Sequence, residues 1–264
     1  MMNMMKIFYP YHLVTISPWP LMSSMSLMIL MVGVLMYMYE FSKILLLIGL
    51  IMILIIIFQW WRDIVRESTY QGMHCYKVNL SLRVGMFLFI LSELMFFISF
   101  FWTYFHMYLS PSIEIGNYWP SFNLMIFNPY NIPLLNTLLL LSSGFSITWC
   151  HYSIMNKNYI NSVFSIMMTI LLGILFSMFQ YMEYNESFFS ISDSIYGSIF
   201  YMATGFHGLH VLIGSLFILV SMKRLLENHF SNIHHFGFEA ASWYWHFVDV
   251  IWLFLYLFIY WMSY

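Results

Sequence analysis

Between Arg83 and Tyr108 the chain reads RVGMFLFILSELMFFISFFWTYFHMY, an apolar run long enough to cross a bilayer as one helix. A single carboxylate, Glu93, interrupts it. At the rise of an α-helix Glu93 lies roughly 15 Å from the start of the run, close to the bilayer midplane. Its neighbours at helical spacing, Phe89, Ile90, Phe96 and Phe97, are apolar, so no cation or amide on the same helix can reach it. A carboxylate at that depth costs about 2.5–3.5 kcal/mol on insertion scales. Glu93 is therefore expected to stay neutral and to face protein, bound water or a lipid head group. Two readings follow: a hydrogen bond to one neighbouring helix, or a part in proton handling or regulation.

The rest of the chain repeats the pattern. Apolar spans are expected at about 21–39, 44–61, 84–108, 132–152, 163–181, 195–222 and 240–262. With 62% hydrophobic and 8% charged residues, the chain lies far from the roughly one-quarter charged content of globular proteins. We read an all-α membrane protein of seven transmembrane helices, a single polytopic domain with no internal repeat. The net charge of −2 and the lack of a basic run give nothing that would track nucleic-acid phosphates. Cys75 and Cys150 have no CxxC spacing, so neither a disulfide scaffold nor a cysteine metal site is expected. The opening MMNMMKIFYP has neither an arginine-rich presequence nor a secretory cleavage pattern. Met, Ile, Phe and Tyr are abundant and Ala is scarce, the usage of an A+T-rich gene such as an organelle genome carries.

Lysine and arginine set the orientation. With seven spans, Lys6, Arg62, Arg66, Lys77, Arg83, Lys157, Lys223 and Arg224 share one side, and Lys43 alone takes the other. That asymmetry predicts an inner N-terminus and an outer C-terminus. Glu183, Glu186 and Asp193 then fall in an outer acidic loop.

Small residues suit helices four (Ser142, Ser143, Gly144, Ser146) and six (Ala203, Thr204, Gly205, Gly208, Gly214) to close packing. Helix six also carries His207 and His210, and helix seven His246 and Asp249, each pair three apart. These four could in principle hold a haem or a dinuclear metal. The histidine clusters of a membrane di-iron site and the acceptors to orient such ligands are missing, so no metal is assigned. The expectation is instead a buried polar network: His207 or His210 reaches Glu93, and Asp249 finds a donor on a facing helix. On the inner face Arg62, Arg66, His74, Lys77, Arg83, Lys223, Arg224 and His234 gather beside Trp60 and Trp61. Such a basic rim suits anionic phospholipids such as cardiolipin, or simply fixes topology. Asp63 and Glu67 alternate with the arginines and can satisfy part of the charge internally.

Long motifs carry a resemblance. WWRDIVRESTYQG (Trp60–Gly72), the Glu93 helix, PLLNTLLLLSSGFSITWCHYS (Pro133–Ser153), ISDSIYGSIFYMATGFHGLHVLIGS (Ile191–Ser215) and HFGFEAASWYWHFVDVIWLFLYLFIYW (His235–Trp261) closely resemble the cytochrome c oxidase subunit III family. The likeness runs from Tyr11 to the end, with departures at Met73, Cys75, Tyr76 and Val84. It implies two plus five helices around a lipid-filled cleft, in a mitochondrial inner-membrane complex that reduces oxygen and pumps protons. Haem and copper would sit in partner subunits I and II, and cytochrome c would be met only through the complex. It also implies further accessory subunits, no redox centre or catalytic residue in this chain, and bound phospholipids. By that resemblance Glu93 is the family's intramembrane carboxylate, and Trp61, Arg66, Glu67, His74, Arg83 and Arg224 match positions that contact lipid head groups. A metalloenzyme built on His207, His210, His246 and Asp249 is the second reading. A transporter, for which matched broken helices would be expected, is the third.

Overall fold

A computed structural model describes residues 11–113, 116–121 and 124–264; Lys6, counted above among the inner basic residues, lies outside them. Among the described residues, seven helices are long and apolar enough to cross a membrane. They are α1 (Trp19–Met38), α2 (Ile44–Thr69), α3 (Tyr76–Leu109), α4 (Ile132–Met155), α5 (Tyr159–Asn185), α6 (Ile195–Leu226) and α7 (Phe236–Leu255), the last continued by a π-helical turn at Tyr256–Trp261.

Most of these helices outrun the apolar spans. α2 continues past Trp61, where hydropathy ends the span, because nothing breaks it before Gly72 at φ +63°. Its extra turns carry ion pairs: Arg62 to Asp63 at 3.0 Å, and Arg66 to Asp63 at 3.9 Å across one turn. α3 likewise begins at Tyr76, and its 34 residues make it about 51 Å long against a hydrocarbon layer of about 30 Å. α5 reaches Asn185, which corrects the placing of Glu183 in the outer loop: it sits on the helix and is fully buried. Asp193 does lie in the loop before α6. It accepts the Ser190 N–H at 2.6 Å, which holds its carboxyl below the usual range.

Helix ends are closed by turns that hydropathy does not report. After α1, α4 and α6 the chain takes a left-handed residue, Glu40, Lys157 and Asn228 at φ +60°, +58° and +56°. The next N–H then reaches back five residues: Phe41 to Met36 O, Asn158 to Ser153 O and His229 to Arg224 O, at 2.9–3.0 Å. These are Schellman-type caps without glycine. At the other end of α6, the Ser194 hydroxyl accepts from Gly197 N at 3.0 Å.

The chain divides into two compact units, one reaching to Leu82 and the other from Arg83 to the end. In the first, α1 and α2 run antiparallel and meet backbone to backbone. A Cβ on Gly33 would lie 2.5 Å from Leu46 N, and one on Gly49 2.7 Å from Leu30 Cα. Trp19 Nε1 donates to Asp63 Oδ2 at 2.8 Å and ties the start of α1 to the end of α2.

The second unit is organised around α7. Its Trp245 is fully buried and fills space left by two glycines, Gly173 on α5 and Gly214 on α6, where a Cβ would stand 2.7 and 3.0 Å from the ring. The same indole donates to Ser143 Oγ on α4 at 2.9 Å. α4 packs on α5 and α7, and α6 packs on the same two helices. α3 joins through long side chains: Phe97 meets His210 and Phe101 meets Phe258, at 5.1 and 5.4 Å between ring centres. Gly144 makes room for Asp249, as its small size suggested, but no described residue lies within 4 Å of a Cβ on Gly208. Hydroxyls in the apolar layer turn back on their own helix, as Ser92 does to Phe89 O and Ser99 to Phe96 O. A pair plus a five-helix bundle is the grouping that the family resemblance implied.

Candidate functional site

Glu93 projects from α3 to α6, where His210 Nε2 lies 3.0 Å from its Oε2. The other ring nitrogen, Nδ1, faces the Phe206 carbonyl at 2.6 Å. A carbonyl can only accept, so Nδ1 carries a hydrogen and donates. Two protonation patterns then satisfy the 3.0 Å contact: neutral imidazole with protonated Glu93, or imidazolium with carboxylate. Both hold one proton between the two residues and leave the pair with no net charge. That answers the cost of an isolated acid in hydrocarbon, because the partner comes from another helix. Phe97 packs edge-on to the imidazole, and Tyr244 stacks on its other side at 6.2 Å.

The other histidine of α6 goes elsewhere. His207 is buried between Phe176 and Trp252, and its Nε2 contacts the Val248 carbonyl at 3.1 Å. Of the two, only His210 therefore meets Glu93. His246 Nδ1 stands 4.0 Å from Asp249 Oδ2 on the same helix. Asp249 Oδ1 has no hydrogen-bond partner among the described residues, so the expected donor on a facing helix is not found. What faces Asp249 is Gly144, which supplies space and no donor. Among the described residues, the four weighed as metal ligands do not form a convergent group.

The basic residues are more internally paired than the sequence suggested. In the first unit Glu67 is engaged by His12 at 3.6 Å and Thr15 at 3.3 Å, and His74 packs against the His12 ring. Arg66 leans on Asp63, and Trp61 remains exposed. In the second unit, Arg83 binds Glu239 through two parallel hydrogen bonds of 3.0 Å. Lys223 stands 4.0 Å from Glu227, and Arg224 stacks over Phe230 at 4.7 Å.

Two groups escaped the sequence reading. Neither Glu183 carboxyl oxygen has a hydrogen-bond partner among the described residues, although the side chain is fully buried on α5. His151, His235 and Glu239 converge where α4 ends and α7 begins. Only the four-residue spacing of His235 and Glu239 hinted at this.

Seven helices long and apolar enough to cross a membrane, with an acid–imidazole pair between α3 and α6, define a multi-pass helical membrane protein. A family model described as cytochrome c oxidase subunit III matches residues 9–264. The chain belongs to that family. It is 54% identical over 255 residues to cytochrome c oxidase subunit 3 of Drosophila yakuba, covering 97% of each chain. To the Rhipicephalus sanguineus protein of the same description it is 56% identical over 254 residues, or 96% of this chain and 99% of that one. The Heterololigo bleekeri counterpart is 54% identical over 254 residues, 96% and 98%. Membership makes the chain a subunit of cytochrome c oxidase, complex IV, with the other subunits of that complex as its partners.

Proposed function

We propose that the chain supports the oxidase without a redox centre or catalytic residue of its own. In this reading it stabilises the core, binds phospholipid at its basic end and assists proton uptake through Glu93. The observation that carries the proposal is the 3.0 Å contact between Glu93 and His210, an acid and an imidazole brought together between two membrane-spanning helices. Haem and copper belong to subunits I and II, and cytochrome c meets the chain through the complex only. The basic asymmetry favours a mitochondrial inner-membrane protein with its N-terminus in the matrix and its C-terminus in the intermembrane space. Trp61, Arg66, His74, Lys223 and Arg224 are the residues we assign to anionic head groups such as cardiolipin. Arg83 and Glu67 belong to the same assignment and, like Arg66 and Lys223, also have protein partners.

Glu93→Gln tests the proposal. The amide keeps the shape and can still donate to a bare His210 Nε2, so assembly and haem content are expected to be normal. Proton uptake, or survival under sustained turnover, is expected to fall by less than about tenfold, under about 1.4 kcal/mol of barrier. Complete loss of oxygen reduction in a normally assembled, fully haemylated complex would falsify a supporting role.

A further inference from the structure

We propose that His151, His235 and Glu239 form an exchangeable Zn2+ site at the end of the bundle where α4 stops and α7 starts. The ligand atoms lie within 4.8 Å of one another. His151 Nε2 is 3.1 Å from His235 Nε2, and that nitrogen is 3.4 Å from Glu239 Oε1. Zinc–nitrogen bonds of about 2.0–2.1 Å at the tetrahedral angle separate neighbouring ligand atoms by about 3.3 Å. These two edges bracket that value, and the third, from His151 to Glu239, is no longer than 4.8 Å.

Hydrogen bonding aims the lone pairs inward. His235 Nδ1 lies 3.0 Å from the Ser231 carbonyl and must donate to it, which leaves Nε2 bare in the neutral ring and turned toward the other two groups. A ring N–H held by a backbone carbonyl is the usual support of a metal-binding imidazole. Arg83 holds Glu239 through two bonds of 3.0 Å and fixes its carboxylate in the same way. Without an ion, Glu239 Oε1 accepts from Arg83 Nη2 at 3.0 Å, and the 3.1 Å approach of the two imidazole nitrogens leaves His151 to offer one hydrogen to the bare His235 Nε2. A divalent cation would take a lone pair from each of the three groups.

Two imidazoles and one carboxylate suit a borderline cation such as Zn2+, whereas Mg2+ and Ca2+ favour oxygen. Three protein ligands leave one position open, and the nearby guanidinium of Arg83 opposes the added charge. Both features describe an ion that comes and goes. The location departs from the sequence reading, which weighed a metal at His207, His210, His246 and Asp249 and assigned none.

The test uses the intact oxidase complex with Zn2+ alone as probe. After equilibration and desalting, the unaltered complex should retain one more zinc than complexes carrying His151→Gln or His235→Gln. His234→Gln, next in the chain but outside the cluster, should keep it. Zinc-edge absorption of that increment should show two imidazole ligands. Should the variants fail to assemble, the unaltered complex gives a second measurement: Zn2+, and not Mg2+, should protect His151 but not His234 from diethyl pyrocarbonate. Equal zinc in the unaltered complex and both assembled variants, or no retained zinc together with no protection of His151, overturns the proposal.

Discussion

The α1–α2 pair and the bundle around α7 hold helices together by different means. In the pair, backbone meets backbone at Gly33 and Gly49, and the large side chains around them, Leu47, Ile51, Leu54 and Phe58 among them, face outward. In the bundle, the two glycines beside Trp245 meet a side chain instead of a helix backbone. Gly173 and Gly214 receive a tryptophan, and α7 buries Trp245, Trp252, Phe238 and Ile251 among its neighbours. Lipid tails are as apolar as leucine, so neither arrangement draws on a hydrophobic force between helices. The pair gains van der Waals contact by close approach along two small residues. The bundle gains it by shape, with one large ring completing three helices at once.

Trp245→Ala should show that contrast at its largest. It empties a fully buried site shared by α5, α6 and α7 and is expected to cost about 3–5 kcal/mol. The readout is the temperature at which the chain leaves the purified complex, compared with Trp261→Ala, whose ring is 46% exposed. If the two variants dissociate together, the bundle does not depend on its central ring, and the contrast with the pair fails.

How much of this was legible beforehand follows the same physics. The Glu93 run and the seven helices could be read, because a bilayer demands apolar length and little else. Helix ends could not, since hydropathy stops at the head groups while the hydrogen-bond ladder continues, as in α2 beyond Trp61 and α5 beyond Tyr181. The caps at Glu40, Lys157 and Asn228 carry no glycine to announce them. Within the site, one chain could offer His207 and His210 equally to Glu93. Which of them meets it depends on the rotation of α6 against α3 and α7, and rotation is set by side chains on three helices. His151 and His235 stand 84 residues apart, and nothing local in the chain marks them as neighbours.

Gly33→Ala probes the other side of the comparison. The new methyl would stand 2.5 Å from Leu46 N and 2.6 Å from Leu46 Cα, both backbone atoms that cannot swing aside. A cost of about 1–3 kcal/mol is expected, the scale of overpacking. It should appear as faster protease cleavage of the turn at Glu40–Lys43 in the assembled complex. Gly208→Ala is the matched control, because nothing lies within 4 Å of its Cβ position and alanine favours the helix. A Gly33→Ala chain as protected as Gly208→Ala would mean that α1 and α2 are not held by close approach.

Ser143→Ala is the smallest and sharpest cut. It removes the acceptor of the Trp245 indole, 2.9 Å away on another helix, while leaving the ring and its glycine pockets in place. Hydrogen bonds between membrane helices average about 0.6 kcal/mol and reach at most about 1.7. The expected loss is therefore a small fraction of that for Trp245→Ala, read in the same dissociation experiment. The double variant should lose little beyond Trp245→Ala, because the hydroxyl has no other indole to serve. If Ser143→Ala alone matched Trp245→Ala, the ring would be acting mainly as a donor rather than by filling space. The bundle would then be held by polar contact, and its difference from the pair would be one of chemistry instead of shape.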